Sequence, residues 1–205
     1  MPQITTGIKS ILSHSEVYNA FQRLLGSHRA RDIIVSQYIT PKSSDKVLDI
    51  GCGTAEILNH LPDNIQYTGF DLSKKYIISA QNKHKSNAIF YAKPLTETTL
   101  NHNNCFDIVI AIGLVHHLDD HEVIDLFKIA KQALNKSGIF FSVDPCYITG
   151  QSLISKLFVN LDRGKNIRKH DDYKQLAEQV FNNATVYHRN DLLFIPYDHT
   201  IMICK

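Results

Sequence analysis

The sequence predicts an α/β fold built on a mainly parallel, doubly wound sheet, and three observations carry that reading. From about residue 45 onward, short apolar runs of strand length alternate with amphipathic runs of helix length, the pattern of βαβ units. One run, Val47-Leu48-Asp49-Ile50-Gly51-Cys52-Gly53-Thr54, ends in a carboxylate and two closely spaced glycines, as a buried strand does when it stops abruptly and turns into a helix. Twenty positions past Gly51, Asp71 closes a second apolar run, Tyr67-Thr68-Gly69-Phe70. Glycines let the backbone come close to a ligand, and free N–H groups at the start of the next helix favour negative charge. An acidic side chain at the tip of the second parallel strand accepts hydrogen bonds from ribose hydroxyls. A glycine pair alone fits any tight connection; with the carboxylate at that distance, it points to a nucleoside site.

Bulk properties bound the rest. At 205 residues the chain suits one domain with a substantial core and is too short for a separate substrate domain. A formal charge of +2 and a pI near 8.3 demand no polyanionic partner. Cys52, Cys105, Cys146 and Cys204 lie far apart, form no CxxC, and read as reduced, mostly buried thiols in a reducing compartment. The start has no basic segment followed by an apolar stretch, and no run is long enough to cross a bilayer. The expectation is a soluble, cytoplasmic protein with no membrane partner.

The elements follow in order. Val17, Phe21, Leu24 and Leu25 stand at helical spacing over 15–25 after Ser13 or Ser15, and Ala30, Ile33, Ile34 and Tyr38 repeat the pattern over 29–39. These two helices read most plainly as a packing layer, a helical cap over residues 1–40. Pro41 to Asp45 turns into the first strand. A helix over 54–61, stopped before Pro62, is followed by a strand over 66–70, a helix over 73–83 capped by Ser73, and a strand over 88–91. The unbroken apolar run 106–112 is a central strand. Asp119, three before Glu122, starts a capped helix over 120–134. Strand 139–143 ends in Asp144-Pro145, and residues 146–169 form an insertion of irregular and short helical character on the acceptor side. A helix over 170–182 and strands over 184–190 and 192–203 complete the chain.

A dinucleotide fingerprint would place a third glycine at Glu56, where a carboxylate opposes a pyrophosphate. VLDIGCGTAEIL, YTGFDLS and CFDIVIAIGLVHHL instead resemble the first, second and fourth motifs of the class I S-adenosylmethionine-dependent methyltransferases, over about residues 45–145. The resemblance implies a Rossmann-like, seven-stranded, mainly parallel sheet with a terminal antiparallel strand and N-terminal helices. It implies S-adenosylmethionine as cofactor and S-adenosylhomocysteine as product. The residues it assigns to the cofactor are Asp49, Gly51, Cys52, Gly53, Asp71, Leu72, Ala92, Lys93, Pro94, Ile112, Gly113, Leu114 and His117. N-terminal helices in such proteins also close over the cofactor, which brings Tyr18, Arg29 or Arg31 within its reach. Two positions depart from the pattern. Ala92 or Lys93 stands where many relatives carry an acid for the adenine amino group, leaving backbone near 92–95 as the substitute. Ala55 stands at the third glycine, where a tighter loop with no loss of binding is expected.

The reading is a methyltransferase acting on an unidentified, small-molecule acceptor. Its rivals are a silent S-adenosylmethionine-binding partner or sensor, motivated by the two departures, and a nicotinamide oxidoreductase. If the acceptor needs deprotonation, His116, His117, Asp144 or Tyr147 stands near the strand tips. His117 and His121 are four apart, but a cap between them spoils the common helical face, so no metal is expected there. The basic stretch Asp162 to Lys169 reads as solvated surface, or else as a carboxylate-binding segment through Arg163 or Arg168. No aromatic residues interleave with its charges, so nothing signals nucleic acid. The oligomeric state is open.

Overall fold

The computed structural model describes residues 25–84, 88–100 and 105–205. All but the last residue of the expected 15–25 helix, with Tyr18, falls outside them. Seven strands form one sheet: β1 (Lys46–Ile50), β2 (Gln66–Phe70), β3 (Ala88–Tyr91), β4 (Phe106–Ile112), β5 (Leu134–Pro145), β6 (Ala184–Arg189) and β7 (His199–Cys204). Their order is β3-β2-β1-β4-β5-β7-β6. β1 to β5 run parallel, and β7 is antiparallel to both β5 and β6, so it is wedged between them and leaves β6 at the edge.

The period of two along each strand divides the core between the faces. Val109 and Ala111 of β4 and Phe140 of β5 point into one apolar cluster. Their neighbours Ile108, Ile110 and Phe141 point into the other. On the first face lie α3 (Asp120–Ala133), through Val123 and Phe127, and α5 (His170–Glu178), through Tyr173 and Leu176. On the second lie α1 (Ser27–Ile34), through Ala30 and Ile34, and α2 (Lys74–Lys83), through Ile77 and Ala80. Helices cover both faces because every central strand is apolar on both sides. α4 (Leu153–Leu161) lies in the insertion and leaves Leu153, Ile154, Leu157 and Leu161 exposed.

Several expected elements differ. β5 begins at Leu134, five residues before the expected start at 139, and the helix expected over 29–39 is α1 followed by a π-helical turn, Val35–Ile39. Residues 54–61 hold no α-helix; a 3-10 turn, Glu56–His60, replaces it, because Ala55 takes a left-handed conformation (φ 55°) that ends the preceding turn and Pro62 follows too soon. The last strand begins at His199 and not near 192, because Pro196 lacks the N–H a central strand needs. The helix after the insertion stops at Glu178, short of 182.

Candidate active site

Strand order reverses about β1: the chain passes from β3, outside β2, to β4 on the other side of β1. Crevices beyond the carboxyl ends of strands open at such a switch point. A cleft of about 860 Å³ sits there, lined by the tips of β1, β2 and β4 and the loop after β3.

The floor is the turn after β1. Gly51 (φ 76°) and Gly53 (φ 54°) occupy the left-handed region. A Cβ on Gly51 would stand 3.0 Å from the Leu114 side chain, whereas one on Gly53 would meet nothing within 4 Å. Gly53 therefore faces open cleft. The expectation of free N–H groups here is not met. Gly51 and Cys52 donate to the Phe70 carbonyl at 2.8 and 3.0 Å, Gly53 donates to Asp71 Oδ2 at 3.0 Å, and the following turn is too short to present a helix terminus.

Asp71 thus touches the glycine turn directly. Its other oxygen accepts from the Ser73 N–H at 2.7 Å, and Ser73 in turn caps α2. An ionised carboxylate has about four acceptor positions, so lone pairs remain for a ligand. Beneath the turn, Asp49 is buried and accepts from the Tyr67 hydroxyl at 2.5 Å. Burial, opposed by that hydrogen bond, pushes the Asp49 carboxyl up to about 7.

The opposite wall is the end of β4 and the 3-10 turn Val115–His117, contributing Ile112, Gly113, Leu114 and His117. Leu72, Lys93 and Pro94 line the near side, while Ala92 does not. α1 brings Arg31 to the cleft. Arg29 points elsewhere, donating to the Asp191 carbonyl at 2.7 Å. Tyr76, Glu122 and Asp125, not read from the sequence as part of the site, and Leu95 from the 92–95 stretch also line it. Glu56 lines it too, held by Lys83 at 2.7 Å. The α3 contribution is hidden in the sequence, because Glu122 reads as a capping residue and Asp125 as an ordinary solvated helix residue.

Of the four candidates for proton transfer, only His117 lines the cleft. Burial and the neighbouring His116 charge lower its pKa to about 4, and its buried Nδ1 has no hydrogen-bond partner. His116 lies one layer deeper. Its Nδ1 is 2.8 Å from Asp144 and its Nε2 3.2 Å from Asp162, and the two rings of the histidine pair are 4.1 Å apart. Burial works against charge on His116, but the two carboxylates outweigh it and raise the pKa to about 9. Asp144 is buried behind His116. The Tyr147 hydroxyl instead donates to Asn160.

The insertion folds over this histidine pair. A Cβ on Gly164 would overlap the His116 ring, and Asn166 donates its N–H to the His116 carbonyl at 3.0 Å. Arg168 is neither solvated nor available to a ligand. It donates to the carbonyls of Val115, Leu118 and Asn166 and pairs with Asp120 at 2.7 Å. Arg163, by contrast, lines the cleft. His117 and His121 are separated by the observed Asp119–Glu122 capping box.

Residues 47–138 match the family model of a methyltransferase domain, just under half of the chain. No curated protein matches in sequence. A SAM-dependent methyltransferase from Archaeoglobus fulgidus superposes with a TM-score of 0.72 at 20% identity, over 92% of this chain and 99% of that one. The plantazolicin methyltransferase BpumL, solved with a triazolic desmethylPZN analog and SAH, gives 0.68 at 14% identity, over 96% and 90%. The mitomycin 7-O-methyltransferase MmcR gives 0.68 at 15% identity, over 96% of this chain and 60% of that longer one. The chain carries the Rossmann-like fold of the class I S-adenosylmethionine-dependent methyltransferases, and its residues 47–138 fit the pattern of a methyltransferase domain. Among the described residues no helix is long and apolar enough to cross a membrane.

Proposed function

We propose that this protein binds S-adenosylmethionine in the cleft and transfers its methyl group to a small-molecule acceptor, with S-adenosylhomocysteine as product. The observation that carries the reading is the direct bond between Gly53 and Asp71, which sets a ribose-binding carboxylate beside bare backbone at the sheet's switch point. The residues fit the group: the cleft volume suits a cofactor of that size, and the space above Gly53 is open. Glu56 in the lining opposes the pyrophosphate of a dinucleotide, which disfavours a nicotinamide cofactor.

Asp71 holds the ribose, Gly51 to Gly53 give the close approach, and Leu72 with the backbone of 93–95 flanks the base. Ile112, Gly113 and Leu114 wall the methionine part, and Arg31 is placed to pair with its carboxylate. When bound, the cofactor supplies a sulfonium methyl group open to in-line attack. The chain's own work is positioning and exclusion of water. Burial and the charge on His116 keep His117 neutral, so its imidazole is placed to accept a hydrogen bond from an acceptor hydroxyl and orient it. Buried, charged His116 behind it keeps that state fixed. The insertion, held by Arg168, borders the acceptor side with Arg163, which suits an acceptor bearing a carboxylate.

Calorimetry on cofactor-stripped protein tests the reading, and absence of S-adenosylmethionine binding at millimolar concentration overturns it. Asp71→Ala should weaken binding by about 1.5–3 kcal/mol, the worth of charge-assisted hydrogen bonds. An unchanged dissociation constant would put the ribose elsewhere. A silent binding partner would share the same cleft; methyl-labelled donor incubated with a metabolite extract separates the two, since transfer of label excludes it.

A further inference from the structure

Away from the cleft, three metal-ligating side chains converge where α1 meets the turn Glu56–His60. His28 and Asp32 are four apart on α1 and so share a face. His60, the last residue of the turn, comes in from the other side. His60 Nδ1 lies 2.7 Å from Asp32 Oδ1, and His28 Nδ1 lies 3.2 Å from Asp32 Oδ2. One ligand atom from each residue falls within 4.8 Å of the other two, and the imidazole rings approach to 4.4 Å.

We propose that His28, Asp32 and His60 bind a divalent transition-metal ion of the zinc type. Two imidazole nitrogens and one carboxylate oxygen form a donor set suited to Zn²⁺ and ill suited to Mg²⁺, which takes oxygen ligands. The side chain of His60 is 4% exposed, whereas those of His28 and Asp32 are 71% and 57% exposed. The site is thus anchored on its inner side and open outward, where water completes a tetrahedron. Both histidines already turn the same ring nitrogen toward the carboxylate. An ion at that point takes the two Nδ1 lone pairs, leaving the proton of each neutral ring on Nε2. Hydrogen bonding of the two rings to Asp32 is the competing explanation of the cluster, and it requires no ion.

The placement has a consequence for the cleft. α1 carries Arg31 and the turn carries Glu56 and Ile57, all of which line it. An ion at this seam clips two walls of the cleft together. The inference does not depend on the proposed methyl transfer.

Calorimetric titration of the tag-free chain with ZnCl₂, and separately with MgCl₂, tests it. One Zn²⁺ should bind in the micromolar range, and Mg²⁺ should not compete. The chain has 11 histidines, so the deciding readout is the variants. His28→Gln and His60→Gln should each weaken binding by about tenfold or more, since even residues that only support a metal ligand cost at least that much. His121→Gln should leave binding unchanged. His28→Gln, at an exposed position, keeps the test valid if His60→Gln fails to fold. No Zn²⁺ binding tighter than about 100 μM, or equal binding by His28→Gln and the parent chain, would leave a hydrogen-bonded cluster only and overturn the proposal.

Discussion

Ala55 shows how a single residue departs from a family pattern without breaking the turn. It sits at φ 55° with no exposed surface. The left-handed conformation costs an alanine about 1–2 kcal/mol. A glycine there would regain that, but would lose about 0.8 kcal/mol of methyl burial and about 0.5–1 kcal/mol to greater unfolded-state freedom. The terms nearly cancel, so Ala55→Gly should change stability by less than about 0.5 kcal/mol in urea unfolding. Ala55→Val, with a branched Cβ in the left-handed region, should cost more than about 2 kcal/mol. His116 allows a test by pH. Its folded pKa, about 9, lies above the ordinary histidine value, so its contribution is complete below about pH 6.5 and is lost as pH rises toward 9. Between about pH 7 and 8.5 the parent chain should lose about 1–2 kcal/mol relative to His116→Gln, read as a difference in denaturant midpoints. Above that range Cys52, Cys146 and Cys204, whose thiols burial pushes up, add a loss of the same sign to both proteins. Sequence spacing brought out Gly51, Gly53 and Asp71 because each acts through backbone or strand position. It could not rank His116 against His117, since adjacent residues differ only in which one the insertion covers.

At the scale of elements, what was legible followed periodicity and local chemistry. β2, β3 and β4 begin and end where their apolar runs do, and the capping box that starts α3 was readable in Asp119 and Glu122. The turn after the glycines was not, because the patterning of Ile57 and Leu58 is compatible with either an α or a 3-10 turn. Nor was the role of the basic stretch 162–169, whose composition is that of a solvated surface while its geometry is that of a strap. Arg168 explains the difference: its guanidinium ties the carbonyls of Val115 and Leu118, at the two ends of the 3-10 turn after β4, to that of Asn166 in the insertion. Leaving such groups unpaired costs about 1–3 kcal/mol each, partly relieved by water at this edge. Arg168→Ala should therefore lower stability by about 2–4 kcal/mol. Arg168→Lys should recover only a minor part, since an ammonium group lacks the planar fork. Equal stability of all three proteins in urea unfolding would show that the strap contributes nothing.

For the whole molecule, the strand order concentrates chemistry in one place. β1 and β4 are neighbours whose connections leave toward opposite faces, so their tips diverge and cannot close over each other. The two cores below, divided by the sheet, are filled by residues from nearly every described element, and the cleft opens above them at the strand tips. A ligand bridging the tips of β1, β2 and β4 ties together elements that belong to both cores, and so should stabilise the fold as a unit. At a concentration about 100 times its dissociation constant, a ligand that binds only the folded state adds about 2.7 kcal/mol. For a chain of this size each kcal/mol moves the midpoint by about 2–4 °C, giving a rise of about 5–10 °C. S-adenosylhomocysteine at saturating concentration should produce that shift in a thermal melt. NAD at the same concentration should produce none, because the Glu56 carboxylate in the lining would repel its pyrophosphate. The same melt with Asp71→Ala should lose most of the ligand-induced shift, and the ligand-free midpoint should fall as well, since Asp71 spans the glycine turn and the start of α2 through two backbone hydrogen bonds. If NAD raised the midpoint and S-adenosylhomocysteine did not, the cleft would belong to a different cofactor, and the roles given to Leu114 and His117 would go with it.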